Sequence, residues 1–345
     1  MIADSPVLTV DPALCSGEQL EGRVMSRDEQ LTSMRAVAFD EFGGPEVLTA
    51  RTLPIPQIAD DEILLKVWTA GVGVWDVMER QGQLVPEGAT FPIVPGSDAA
   101  GSVTAVGATV DDFSVGDVVY AYAFSRPKGG CYAEYAAVKA DYVTRVPENV
   151  PIEHVGAMPT DALTALAGLD ALDLPAGATV LVFGASGGQG HLAVQLAKRL
   201  GLRVVAIASG DEGVRLVSRL GADVVLDGHD AATPTRAGEA VPGGVDGLLA
   251  MANGPMLARL GDLLKPDGTL AYPHGVQPEP TAPAGRGARA YDGTTGPDQL
   301  RRLNHLIESG PFEIHVAETF PLAEAAQAHR RLQAPYLGKL LLRVH

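Results

Sequence analysis

The run Val180-Leu181-Val182-Phe183-Gly184-Ala185-Ser186-Gly187-Gly188-Gln189-Gly190 carries the clearest chemistry in this chain. A short apolar segment feeds a glycine-rich turn, and Leu192, Leu196 and Leu200 follow at roughly helical spacing. Strand, glycine turn and helix form the geometry that holds a dinucleotide pyrophosphate. Glycines let the backbone approach the phosphates, and the amides that open the helix face the negative charge. Gly184, Ala185, Ser186, Gly187, Gly188, Gln189 and Gly190 are therefore candidate cofactor contacts. A glycine turn without a ligand is the plain alternative, and the flanking strand and helix weigh against it. The next strand ends at Ser209, where an NAD-preferring fold carries an acid for the ribose 2′-hydroxyl. Ser209 leaves room for a 2′-phosphate, and Arg215 supplies a counter-charge. Asp211 and Glu212 oppose that phosphate, and Arg215 reads equally as an exposed helix arginine. On balance the residues favour NADP(H). Asn253, just past a later strand, joins the candidate cofactor set.

These residues need elements to hold them. From about residue 160, strand-like and helix-like segments alternate. Strands are expected at 179–183, 203–208, 223–226, 247–251 and 269–272, with helices at 191–200, 213–220 and 255–264. Such alternation implies right-handed βαβ units and a parallel sheet. Residues 34–39 and 62–68 read as strands, and Val-rich runs cut by Gly101, Gly107 and Gly116 read as a β-rich, partly open barrel. Residues 279–292, rich in Pro, Gly and Ala, read as a loop. Residues 298–309 and 322–332 read as amphipathic helices, and 340–344 as a closing strand. The expected organisation is a polar extension over 1–33, a β-rich domain over 34–155 and 300–345, and a nucleotide domain over 156–299. Ligands should bind between the two folded parts, at the carboxyl ends of the parallel strands.

Composition narrows the function further. Against 42 acidic residues stand 26 basic ones, a net charge of −16, which leaves no basic stripe for nucleic acid. No apolar run reaches the length of a bilayer span. The acidic start, without a basic stretch or apolar centre, is not a secretory signal. Cys15 and Cys131 are too few for a disulfide framework, so a reducing cytoplasm is expected. Cys131 reads as a packed small residue rather than a reactive thiol. His154 and Asp161 lie seven residues apart, with no third metal ligand in view.

Several ordered motifs together resemble the zinc-free quinone oxidoreductases of the medium-chain dehydrogenase/reductase superfamily. They are Gly43-Gly44-Pro45-Glu46-Val47-Leu48, the stretch Ala70 to Gly82, Pro95-Gly96-Ser97-Asp98-Ala99-Ala100-Gly101, Gly116-Asp117-Val118-Val119 and Pro159-Thr160-Asp161-Ala162-Leu163-Thr164-Ala165. Leu263 to Gly268 and Gly338-Lys339-Leu340-Leu341-Leu342 complete the set, which spans about residues 34–345. The resemblance implies an α/β fold: a GroES-like partly open barrel beside a Rossmann doubly wound sheet. It also implies a homodimer. Where zinc-dependent relatives carry ligands, this chain has Val74, Gly96-Ser97-Asp98 and Thr160, so no metal is expected.

Without a metal, hydride transfer needs an electrophile that is already activated, such as an enone or quinone. Charge then moves to the carbonyl oxygen, and a proton comes from a side chain or from water. By the resemblance, Gly73, Trp75, Met78 and Leu84 line the substrate cleft and Thr164 lies near the nicotinamide. The family often has an Asn at 73 and tyrosines at 78 and 84, so this cleft is more apolar. Asp161 sits where a small residue is common. It reads either as a desolvated proton donor or as a helix cap. Tyr272 and His274, at a strand end facing the nicotinamide, are alternative donors, and read equally as packed and loop residues. His191 either touches the pyrophosphate or replaces a common polar residue. The expected activity is NADPH-dependent reduction of an apolar enone, quinone or polyene. The alternatives are a reductive cyclase of natural-product biosynthesis and a non-catalytic NADP(H)-binding protein.

Overall fold

The computed structural model describes residues 32–85, 87–123 and 126–345. The expected polar extension, with Cys15, lies outside the described residues but for its last two positions. Residues 33–345 form one compact unit. Its first part holds β1 (Ser33–Ala38), β2 (Thr49–Pro54), β3 (Glu62–Val72), α1 (Val74–Arg80), β4 (Asp98–Val106), β5 (Val118–Tyr122), β6 (Tyr135–Lys139) and β7 (Val143–Arg145). The short α2 (Ile152–Val155) and the long α3 (Pro159–Leu172) lead on to β8 (Thr179–Phe183), α4 (Gly188–Arg199), β9 (Arg203–Ala208), α5 (Gly210–Arg219) and β10 (Val224–Asp227). Then come α6 (Thr233–Ala240), β11 (Val245–Ala250), α7 (Pro255–Gly261), β12 (Leu264–Pro273), β13 (Gly287–Tyr291) and α8 (Pro297–Glu308). The chain closes with β14 (Val316–Pro321), α9 (Ala325–Arg331) and β15 (Lys339–Arg343).

Strands β8 to β13 form a six-stranded sheet in the order β10-β9-β8-β11-β12-β13, with every pairing parallel. This is a doubly wound sheet whose strand order reverses between β8 and β11, the point where such sheets open a ligand crevice. The apolar runs at 180–182 and 204–208 are buried, as strands covered on both faces must be. A second sheet of seven strands runs β14-β15-β3-β4-β5-β7, with β6 also on β3. Here β15 pairs antiparallel with β3, so the C-terminal tail completes the β-rich part.

The two sheets share a core in which Tyr120 and Leu341 of one meet Leu163, Leu192 and Leu303 around the other. Helix α3 is buried almost all round, from Pro159 through Leu166. Pro159 opens it where a missing N–H is harmless. Every polar side chain on its first turn is thereby forced into the interior.

Two expected boundaries need correction, and one helix was not expected. Residues 279–292 are not all loop, since 287–291 form β13 on the edge of the parallel sheet. Gly287-Ala288-Arg289-Ala290 stays exposed and has no apolar run to announce a strand. The polar Thr233–Ala240 forms α6, which no periodicity marked. The helix expected at 322–332 begins as a 3₁₀ turn over Leu322–Glu324 before α9.

Candidate functional site

The glycine turn lies where the sheet order reverses. Gly184 has φ +86°, a left-handed conformation that favours glycine. A Cβ on Gly190 would fall 2.1 Å from the Gly184 carbonyl oxygen, so the helix can seat this close only without a side chain. Gly188, Gln189 and Gly190 form the first turn of the 12-residue α4, whose opening amides have no intrahelical acceptor. The Gln189 Oε1 oxygen is buried and unpartnered. An orphaned buried oxygen beside open amides is what a seated polar ligand would satisfy. Ser186 Oγ accepts from Ser209 N at 3.0 Å, tying the turn to the end of β9.

His191 does not face that turn as a free donor. Its Nδ1 lies 2.9 Å from Gly187 O, and its Nε2 accepts from His315 N at 3.2 Å. Burial lowers the imidazole to about 4, so it is neutral and structural. It holds Gly187 against the 313–315 segment, whose His315 carbonyl in turn accepts from Lys339 N at 2.9 Å.

At the end of β9, Ser209 Oγ lies 3.1 Å from His229 Nε2. Asp227 Oδ1 accepts from Gly210 N at 2.9 Å and His229 N at 3.0 Å. Arg215 is exposed on α5 and pairs with no described acid. His229 is a residue that sequence reasoning missed, because it follows β10 and reaches Ser209 only through strand pairing. Asn253 spends its amide on backbone, donating to Pro278 O of the loop after β12 and accepting from Gly254 N at 2.6 Å.

Between the two sheets lies a buried charge cluster. Asp161 and Lys339 form an ion pair whose side chains are only 5% and 4% exposed. Asp98 Oδ1 accepts from Thr160 N at 2.9 Å and from Thr160 Oγ1. Burial raises the Asp98 carboxyl to about 7, although Lys339 and Thr160 oppose it. Burial pulls the Lys339 ammonium down, but Asp161 and Asp98 outweigh it and leave it above the ordinary lysine value. Asp161 makes no helix-capping bond, and its carboxylate accepts from the Lys339 ammonium. Lys339 appeared in sequence only as part of a motif, 178 residues from its partner.

The segment expected to line the cleft forms α1, its cap Gly73 and the turn that follows. Gly73 N donates to Asp76 Oδ2 at 2.8 Å. Tyr132 OH donates to the same oxygen at 3.2 Å and lies 3.1 Å from His329 Nε2. Glu79 pairs with Arg126, both buried. Burial pushes Glu79 up to about 7 against the pull of Arg126. Trp75 and Met78 are half-buried and Leu84 is exposed. The Trp75 ring centre lies 5.3 Å from Lys339 Nζ.

Thr164 donates to Thr160 O at 2.7 Å and packs against Gly293. Tyr272 donates to Glu279, and His274 Nδ1 pairs with Asp292 at 2.8 Å. Both expected alternative donors are thus already engaged with carboxylates at the end of β12. Cys131 is buried, and burial pushes its thiol up to about 12, so it is packed and unreactive.

Zinc does not fit this site. Val74 offers hydrocarbon and is exposed, and Asp98 Oδ1 is taken up by Thr160. Among the described residues no three His, Cys, Asp or Glu side chains gather to hold a metal ion.

Residues 59–148 match the alcohol dehydrogenase GroES-like domain family, and residues 220–342 match the zinc-binding dehydrogenase family. A quinone oxidoreductase of Sus scrofa is 32% identical over 90% of this chain and 97% of its own length. An NADPH-dependent alkenal/one oxidoreductase of Arabidopsis thaliana, a chloroplastic protein, is 31% identical over 90% of this chain and 79% of its own. A mycobacterial structure solved with NADPH superposes with a TM-score of 0.77 and 32% identity, covering 90% of this chain and all of that one.

Proposed function

Because the chain belongs to the medium-chain dehydrogenase/reductase superfamily, among its quinone oxidoreductase-like members, we propose that it is an NADPH-dependent reductase of activated C=C bonds in enones or quinones, working without zinc. The observation that supports this reading is the glycine turn at the sheet reversal, where a buried, unpartnered Gln189 oxygen lies beside open helix amides. The amides of Gly188, Gln189 and Gly190 would hold the pyrophosphate of NADP(H). Ser209, Arg215 and His229 would surround the 2′-phosphate, and Thr164 would lie beside the nicotinamide. When bound, the cofactor supplies a hydride.

The residues of this chain do the rest. Trp75, Met78 and Leu84 offer the substrate an apolar wall, which suits a flat conjugated molecule. The proton that completes reduction comes from water. The same reading makes the molecule a homodimer, paired through the exposed edge strand β13, and light scattering would report a mass twice that of the chain.

The test is hydride transfer to a panel of quinones, enones and conjugated polyenes, followed by loss of NADPH absorbance. Turnover of at least one class, insensitive to chelators, is expected. Tight NADPH binding with no turnover of any would make the protein a binder and overturn the enzyme reading. Product analysis separates simple reduction from ring closure by the enolate.

A further inference from the structure

Lys339 and Asp161 meet against the glycine turn itself. A Cβ built on Gly188 would lie 3.1 Å from Lys339 Cδ and 3.2 Å from Asp161 Oδ2. Both members of a buried ion pair therefore stand where the backbone turns to face a phosphate. Strand β15 brings the lysine, and the first turn of α3 brings the carboxylate.

An ammonium at such a turn is a natural partner for a dianion. Here its charge is already matched by Asp161. A pyrophosphate seated on the α4 amides would also meet a carboxylate at close range, and like charges repel strongly in a buried site. Asp98, the second acid facing the lysine, is held by Thr160 and leaves the first pairing intact.

We infer that Asp161 is a built-in competitor of the cofactor: it holds Lys339 back from the pyrophosphate and so weakens dinucleotide binding. Seating the dinucleotide draws the ammonium off Asp161. A cofactor held in this way leaves quickly after each turnover. The inference rests on the cofactor reading above and adds to it a residue that sets affinity.

The experiment compares the unmodified chain with Asp161→Asn, Asp161→Ser and the double variant Asp161→Asn/Lys339→Met. NADPH and NADP⁺ are titrated into each, with inorganic pyrophosphate as a competing probe. Both single variants should bind both dinucleotides and pyrophosphate about tenfold more tightly, the value of one charge-assisted hydrogen bond. The double variant should lose that gain. Circular dichroism establishes that each variant is folded, and the serine variant gives the same readout if the asparagine variant is not. Affinity that is unchanged or weaker in a folded single variant overturns the inference. If the unmodified chain binds no NADP(H) at all, the cofactor reading itself fails instead.

Discussion

The indole of Trp75 lies over the backbone of Gly73. A Cβ at Gly73 would fall 2.4 Å from Trp75 Cε2, well inside contact distance. Gly73 has φ −128°, which any residue can adopt, so the demand for glycine is steric rather than conformational. The same indole sits 5.3 Å from the Lys339 ammonium. Trp75, the helix cap Gly73 and the buried lysine are thus packed together.

Gly73→Ala should push the indole off its seat. We expect a destabilisation of about 1–2 kcal/mol, as for other overpacked sites, and a several-fold rise in KM for bulky apolar substrates. Trp75→Ala in the same chain should recover most of the stability. Thermal melts of the two single variants and the double variant check this. Additive losses would mean that the two residues do not share the space.

Cofactor preference should follow the end of β9. Ser209→Asp places an acid where a 2′-phosphate would lie and should lower the NADPH to NADH ratio of kcat/KM by at least about tenfold. Arg215→Ala should move the ratio the same way by a smaller factor. Steady-state kinetics with both cofactors decide it. A ratio near one in the unmodified chain would mean that Asp211, Glu212 and Asp227 dominate.

Two sets of buried groups give the stability opposite pH slopes. Burial lowers His191 to about 4 and His329 to about 3, from an ordinary 6.5. Their neutral forms favour folding above pH 6.5, and that contribution is lost as pH falls toward 4 and below. Burial raises Asp98 and Glu79 to about 7, from 3.8 and 4.5. Their protonated forms favour folding below about pH 4, and that contribution is lost as pH rises through 7. The two effects oppose each other between about pH 4.5 and 6.5. His329→Gln should remove one opposing group and make the protein gain stability on acidification through that window. Denaturant melts at several pH values read the slope directly, at up to about 1.4 kcal/mol per pH unit for each group. An unchanged slope would mean that His329 is not held neutral.

Metal analysis of the purified protein should find no stoichiometric zinc. A bound zinc would require ligands other than Val74, Asp98 and Thr160, and would overturn the donor-set argument.

Much of the fold was legible because its signals are local. The strand at 179–183 and that at 203–208 stand where the apolar runs put them. The edge strand β13 escaped because a strand with one buried residue carries no pattern, and α6 escaped because its residues are polar. The site divides in the same way. The turn at 184–190 could be read from contiguous residues, whereas His229 beside Ser209 could not.

What the sequence determined by itself was the glycine turn, since left-handed backbone and close helix approach are properties of neighbouring residues and their missing side chains. It also determined the parallel sheet, through alternating periodicities. Only the tertiary structure decided what Asp161 does. Read along the chain, it could donate a proton or cap a helix. Folding places β15 beside β3 and carries Lys339 across 178 positions to meet it. In a dry interior a charge takes the nearest opposite charge it is given, and no local pattern says which one that will be.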